Sequence, residues 1–197
     1  MKTLLLFFLI LLTLNSYSQT TGNYQIEITS KASASFSEFK IHLLKNTEST
    51  KLIYFKRKQK DLSPTKQDSL EIQELAKTFR EDSIVQKQLT RIFEKYKAFE
   101  RDSLEIPSDH PLLRISDSLS KAETLQENDN DRSRIVLDGT RLRMKVRHEK
   151  GPEYVLSAVS PRKDTHPLLY QFITSALALY RSNSEKPILS KSDTQGY

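Results

Sequence analysis

The first part of the chain alternates between hydrophobic and polar residues in the manner of β-strands. Two segments between residues 23 and 59 place apolar side chains at every second position, Tyr24–Ile28 and Phe39–Leu43, and a third, Leu52–Phe55, is rich in β-branched and aromatic residues. Such alternation is typical of strands with one buried face. Polar residues such as Asn46 separate the second segment from the third. The pattern therefore predicts a three-stranded antiparallel meander.

After Ser63-Pro64 the hydrophobic spacing changes from two to three or four residues, which is helical spacing. This spacing continues to about Arg101, but the apolar stripe slips between Phe79 and Val85. Asp82-Ser83 followed by Gln86 has the form of a capping box at the slip. We therefore expect two helices here rather than one long helix.

Two later segments predict further helices. Asp109-His110-Pro111 introduces one apolar stripe, and His166-Pro167 introduces another that continues to Arg181. Proline is well tolerated in the first turn, because the N–H that it lacks has no partner there. Each histidine is accordingly interpreted as a residue at a helix start.

Between these two helices, Asp138-Gly139 predicts a two-residue hairpin turn joining Ile135–Leu137 to Leu142–Val146. Tyr154–Val159 forms a last strand, and its register depends on the turn around Lys150 and Gly151. A two-residue turn would bury Val155 and Val159. A three-residue turn would bury Tyr154 and Leu156 instead, and we favour it because it buries the larger side chains.

Strand and helix segments in this order predict an α+β fold. We expect an antiparallel sheet of about six strands, in two three-stranded meanders, with helices packed on one face. The absence of short βαβ alternation argues against a parallel, doubly wound sheet. A single domain is expected over residues 19–182, followed by a flexible polar tail at 183–197.

The first eighteen residues have the composition of a secretory signal peptide. Lys2 precedes an apolar run over residues 4–12, and Ser16-Tyr17-Ser18 supplies small residues before Gln19. The run is shorter than the roughly 20 residues that span a bilayer. The end of this leader resembles the leaders of exported proteins from Gram-negative bacteria of the Bacteroidetes type. We expect cleavage near Ser18-Gln19, a periplasmic or extracellular location, and no transmembrane segment in the mature chain.

The composition narrows the accessible chemistry. Cleavage would remove one of the 31 basic residues, leaving 30 against 25 acidic ones and a net charge of +5. Such a balance allows contact with anionic surfaces without requiring it. The chain has no cysteine, so thiol catalysis, iron–sulfur clusters and thiolate zinc sites are excluded. No cofactor and no metal site is predicted.

Motifs of common enzymes are also missing. The sequence contains no G-x-S-x-G, no H-E-x-x-H and no glycine-rich phosphate loop. The four histidines are His42, His110, His148 and His166, and none has the spacing of a metal site. We therefore expect no catalytic residues and a protein that is not an enzyme. The alternative is a hydrolase of the cell envelope, because a triad can be assembled from residues far apart in sequence.

The predicted hairpin carries the candidate binding site. If Leu142, Met144 and Val146 face the core, alternation places a basic stripe on the opposite face, formed by Arg134, Arg141, Arg143, Lys145 and Arg147. A second basic cluster, Lys56-Arg57-Lys58 with Lys60, follows the third strand. The alternative interpretation is a solvated sheet face, because antiparallel sheets commonly keep one wet side.

The functional interpretation of the stripe is an exported binding protein of the bacterial envelope that engages an anionic partner. Arginine binds phosphate and carboxylate groups in a bidentate manner, which favours this interpretation. The partners considered are an anionic polysaccharide, a lipid or an acidic protein. Nucleic acid is disfavoured, because export is expected and no aromatic residues are interleaved with the basic ones.

Overall fold

The sheet has six strands, all antiparallel. A computed structural model describes residues 22–32, 37–79, 82–121, 139–194 and 197. The strands are β1 (Tyr24–Ala32), β2 (Glu38–Lys45), β3 (Thr50–Arg57), β4 (Phe99–Ile106), β5 (Thr140–His148) and β6 (Glu153–Val159). Their order across the sheet is β4-β3-β2-β1-β5-β6. The predicted α+β class and the antiparallel six-stranded sheet are confirmed.

Strand β4 was not expected from the sequence. Phe99 extends the apolar stripe of the preceding helix, and most side chains of β4 are exposed or half-buried on both faces, so alternation is weak. Pairing with β3 defines the strand, with Leu52 opposite Leu104 and Tyr54 opposite Asp102. A strand that is held by its neighbour rather than by its own burial leaves little signal in its sequence.

The predicted hairpin partner of β5 needs correction. Ile135–Leu137 and the turn residue Asp138 lie outside the described residues. Leu142 was expected opposite Ile135, but it pairs with Ser30 of β1 on one side and Ala158 of β6 on the other. Both edges of β5 are therefore occupied by other strands.

Four helices are described: α1 (Lys66–Ala76), α2 (Ser83–Tyr96), α3 (Pro111–Leu119) and α4 (Pro167–Asn183). The predicted division into α1 and α2 is confirmed. Asp82 caps α2 by accepting a hydrogen bond from the Ile84 amide at 2.6 Å. Gln86 does not complete the expected capping box, because its side-chain Nε2 donates to the Phe79 carbonyl oxygen. His110 caps α3 as predicted, its Nδ1 accepting from the Leu112 amide at 3.2 Å.

Helices α3 and α4 pack on the face of the sheet that we call the inner face. The Tyr54 ring stacks on Tyr180 of α4 with centroids 4.0 Å apart, and its hydroxyl donates to the Ala176 carbonyl. On α3, the Ser116 hydroxyl lies 2.7 Å from that of Tyr24. Burial of these large side chains supplies most of the driving force for folding. Tyr154 and Leu156 pack against this core, so the side chains expected to face inward are confirmed. The favoured three-residue turn is not confirmed: it would place Leu156 opposite Val146, but Tyr154 is opposite Val146 and Glu153 is opposite Arg147.

Helix α2 contacts the opposite side of the sheet, which we call the outer face. Its residue Glu94 pairs with Lys31 at 3.0 Å, and Lys97, directly after it, pairs with Glu38 at 2.6 Å. The expectation that helices share one face thus holds for α3 and α4 and not for α2. We attribute the position of α2 to the outer face itself, which carries a buried apolar residue, Ile53, as well as these charges.

The segment predicted to be a flexible tail packs against the domain. Leu189 is fully buried in the main core, and Asp193 pairs with Lys56 at 2.9 Å. Arg181 donates to the Leu189 carbonyl, and the Tyr197 ring lies edge-on to Phe39. One apolar pair, Ile188-Leu189, in an otherwise polar stretch is enough to dock it.

No helix within the described residues is long and apolar enough to cross a membrane. The predicted leader, residues 1–18, lies outside the described residues, and its cleavage stays a prediction.

Candidate functional site

Strand β5 presents a basic side to the outer face. Leu142, Met144 and Val146 are buried beneath it, as predicted. Side chains alternate between faces along a strand, so the residues between them project outward. The described members of the predicted stripe, Arg141, Arg143, Lys145 and Arg147, therefore lie side by side on one face. Arg134 lies outside the described residues.

The four residues differ in their partners. Arg147 donates from Nε to Glu153 at 2.5 Å and pairs through its Nη1 with Glu27 at 3.1 Å. Lys145 lies 3.4 Å from Glu153. The hydrogen bond from Arg147 lowers the pKa of Glu153, and the pKa of Arg147 is raised in turn. This end of the stripe is close to neutral.

Arg141 and Arg143 have no ion-pair partner among the described residues, and both are exposed. Arg143 lies between Thr29 of β1 and Ser157 of β6, which bring hydroxyl groups but no charge. Arg141 lies between Lys31 and Val159. Uncompensated positive charge therefore concentrates at the β5 end that begins with Arg141.

A groove of about 720 Å³ lies beside these arginines. Another groove, of about 740 Å³, lies elsewhere on the protein. The floor of the groove beside the arginines is the outer face of β2, β1, β5 and β6, and Thr90 and Glu94 of α2 form a wall. Arg141, Arg143 and Ser157 line it on the β5–β6 side. A concave site of this size can hold a short extended segment of a larger partner.

The far end of the groove holds a buried carboxylate. The side chain of Glu38 is only 3% exposed and lies 2.6 Å from Lys97, 3.9 Å from Lys40 and 4.0 Å from Lys31. Its Oε1 atom has no hydrogen-bond partner among the residues that the structure describes. Burial is the main reason that the pKa of Lys40 is lowered. These lysines mainly compensate Glu38 and Glu94, so the uncompensated cations of the groove remain Arg141 and Arg143.

Lys31 and Lys40 were not predicted as part of this surface. Each occupies an outward position of its own strand, but only the strand order places β1 beside β5, with β2 on the other side of β1. Period-two alternation could have indicated the face of each residue. It could not have indicated that these strands are neighbours.

The second predicted basic cluster does not form one surface. Lys56 points to the inner face and pairs with Asp193, whereas Arg57 points outward and pairs with Asp61 at 2.6 Å. The charges of these two residues are therefore satisfied within the fold.

The described contacts of the histidines are with backbone, hydroxyl and aromatic groups. Nε2 of His148 lies 2.8 Å from the Ser120 carbonyl oxygen, and Nδ1 of His166 lies 3.1 Å from the Thr165 hydroxyl. His42 packs its ring against Phe55, and burial lowers its pKa. His42, His110 and His148 form no hydrogen bond with a described carboxylate. No cluster of potential metal ligands occurs among the residues that the structure describes.

A polar cluster on the inner face was not predicted. Asp117 accepts from the Tyr24 hydroxyl at 2.6 Å and from Lys45 at 2.5 Å. Burial, followed by the hydrogen bond to Asp117, raises the pKa of Tyr24, so its hydroxyl stays protonated. A protonated, buried phenol that joins α3 to β1 and β2 is a structural element rather than a nucleophile.

Comparison with protein-family models, with curated proteins and with solved structures finds no match for this chain.

Proposed function

We propose that this is a non-enzymatic binding protein of the bacterial envelope that engages an anionic partner through the outer face of β5. The observation that carries the proposal is the pair Arg141 and Arg143, which are exposed and have no acidic partner among the described residues. Arg147, on the same face of the same strand, has two such partners. This difference supports placing the binding site at the end of β5 that begins with Arg141.

The groove supports a partner that enters rather than one that only lies on the surface. Helix α2 contributes Thr90 and Glu94 to one side of the site, which gives the site a wall. Guanidinium groups with hydroxyls on both sides, as Arg143 has in Thr29 and Ser157, can bind a carboxylate, sulfate or phosphate together with neighbouring polar groups.

The test is retention on immobilised heparin, used as a general polyanion. The double variant Arg141→Gln/Arg143→Gln should elute at clearly lower salt than the wild type, because the cations without internal partners are gone. Retention of the wild type should fall steeply with salt, since exposed charges are screened beyond about 8–10 Å at physiological ionic strength.

The matched control for each single variant, Arg141→Gln or Arg143→Gln, is Arg147→Gln, which also removes one exposed arginine from the same strand. Because Glu27 and Glu153 already compensate Arg147, its loss should change retention little. Equal retention of the wild type and the double variant would contradict the proposal and leave the stripe as a solvated sheet face.

A further inference from the structure

Within the described part of the chain, strand β6 is a sheet edge without the usual protection. Among the described residues it pairs only with β5. Its sequence, Glu153 to Val159, contains one charged residue, no lysine and no proline. Natural edge strands are normally protected by charge, proline or a bulge, and the opposite edge, β4, carries Glu100, Arg101, Asp102 and Glu105. The two edges are thus not equivalent.

The hydrogen bonds between β5 and β6 determine which backbone N–H and C=O groups of β6 point toward the open edge. The Ser160 amide donates to the Thr140 carbonyl at 2.7 Å, which makes this a hydrogen-bonded pair at the end of the β5–β6 ladder. In an antiparallel pair such positions alternate. The N–H and C=O groups of Val155, Ser157 and Val159 therefore point away from β5, toward the edge.

The side chains at this edge suit an added strand that carries acidic residues. Val155 and Val159 are 47% and 44% exposed on the outer face and offer apolar contact. Ser157, between them, is small and lies directly opposite Arg143. A strand paired with β6 would lie about 10 Å from β5, two strand spacings away. Long arginine and glutamate side chains can meet across Ser157 over that separation.

We propose that the edge of β6 binds an extended acidic segment of a partner protein as a seventh strand, with outward carboxylates of the segment paired to Arg141 and Arg143. This inference rests on the proposed anion-binding function and names the class of partner. Main-chain hydrogen bonds to the edge give affinity in such strand addition, and alternate side chains give specificity. A second copy of this chain fits less well, because its own β6 offers one carboxylate, Glu153, which already pairs with Arg147 and Lys145.

The test uses a labelled peptide of roughly eight residues, the length of an ordinary strand, in which glutamate alternates with valine. Fluorescence anisotropy should show saturable binding to the full chain, and the same peptide with lysine in place of glutamate should not bind. Ser157→Pro removes one amide that points to the edge and leaves the ladder to β5 intact. It should weaken binding by about tenfold or more, as expected for a lost hydrogen bond in a misaligned strand.

Ser157→Ala is the matched control, because it also lacks the hydroxyl beside Arg143 but keeps the amide, so the difference in peptide binding between the two variants reports the amide alone. Heparin retention of Ser157→Pro should equal that of Ser157→Ala, which shows that the proline variant is folded and that the basic face is intact. Peptide binding unaffected by Ser157→Pro but lost in Arg141→Gln/Arg143→Gln would overturn strand addition and leave the anion-binding proposal standing.

Heparin binding that depends on Arg141 and Arg143, together with no peptide binding, would overturn the inference in favour of a polysaccharide ligand. Concentration-dependent dimerisation that Ser157→Pro abolishes, without peptide binding, would overturn it in favour of a second copy. Failure of both heparin and peptide to bind would remove the proposed function and the inference together.

Discussion

Arg141 and Arg147 have the same side chain on the same face of one strand, and they differ in what surrounds them. Arg147 has Glu27 on β1 and Glu153 on β6 within ion-pair distance. At the positions next to Arg141 those two strands carry Lys31 and Val159. A surface arginine with carboxylate partners gains little from a further anion, whereas one beside a lysine gains more. Function at this scale depends on cross-strand neighbours.

Leu142 tests the assignment of faces on β5. Its side chain is 2% exposed between two outward arginines. Leu142→Ala should lower the free energy of unfolding by about 2–5 kcal/mol, because it leaves a cavity in a packed core. Urea denaturation gives the value, and the exposed Val155→Ala should cost less than about 1 kcal/mol. A loss for Leu142→Ala no larger than for Val155→Ala would mean that the inner and outer faces are assigned the wrong way round.

The sequence predicts inward and outward positions well where a strand has one buried face. Leu142, Met144 and Val146 are the clearest case, because strict alternation leaves a single way to bury them. The sequence could not predict which of the basic residues form ion pairs with carboxylates. Glu27 is 120 positions away from Arg147, and only the strand order brings the two side chains together.

At the scale of elements, α2 gives the site its wall and depends on both apolar and ionic contacts. Val85, Leu89 and Ile92 are its buried residues, and Glu94 bonds to Lys31 and Lys97. Burial raises the pKa of Glu94, but the hydrogen bonds from Lys97 and Lys31 outweigh it, so the net pKa is lowered. The helix is thus held on the outer face by a charge network around Glu38.

Lys97→Met tests that network. It would leave the buried carboxylate of Glu38 with only Lys40 and Lys31, both near 4 Å. Removing one partner of a buried pair is strongly destabilising, and we expect a loss of about 3 kcal/mol in the free energy of unfolding. Adding Glu38→Gln should restore part of it, because the uncompensated charge is removed. The exposed pair of Lys95 with Asp68 provides the control, and Lys95→Met should cost less than about 1 kcal/mol. Equal losses for both lysine variants would contradict the role given to Lys97.

Helices were predictable from spacing and caps, and the split between α1 and α2 shows this. Strand β4 and the docked tail were not, for related reasons. In β4 all side chains but that of Ile106 are exposed or half-buried, and the described part of the tail contributes two buried residues, Leu189 and Thr194. Elements that are held mainly by their neighbours leave weak periodicity in their own sequence.

At the scale of the whole molecule, the two faces of the sheet differ in what covers them. The inner face, covered by α3 and α4, contains the main core. The outer face is shared between α2, at the β1–β2 side, and an open region at the β5–β6 side. Uncompensated charge and the unprotected edge of β6 lie in that open region, which is why we place partner binding there.

The most direct test is to observe the arginine side chains while a polyanion binds. In ¹⁵N-labelled wild-type protein, the Nε–Hε signals of Arg141, Arg143 and Arg147 can be assigned from the three single glutamine variants. Titration with a heparin-derived oligosaccharide should shift the Arg141 and Arg143 signals in a saturable manner and move that of Arg147 much less. Unchanged Arg141 and Arg143 signals at saturating oligosaccharide, or larger shifts at Arg147, would contradict the account.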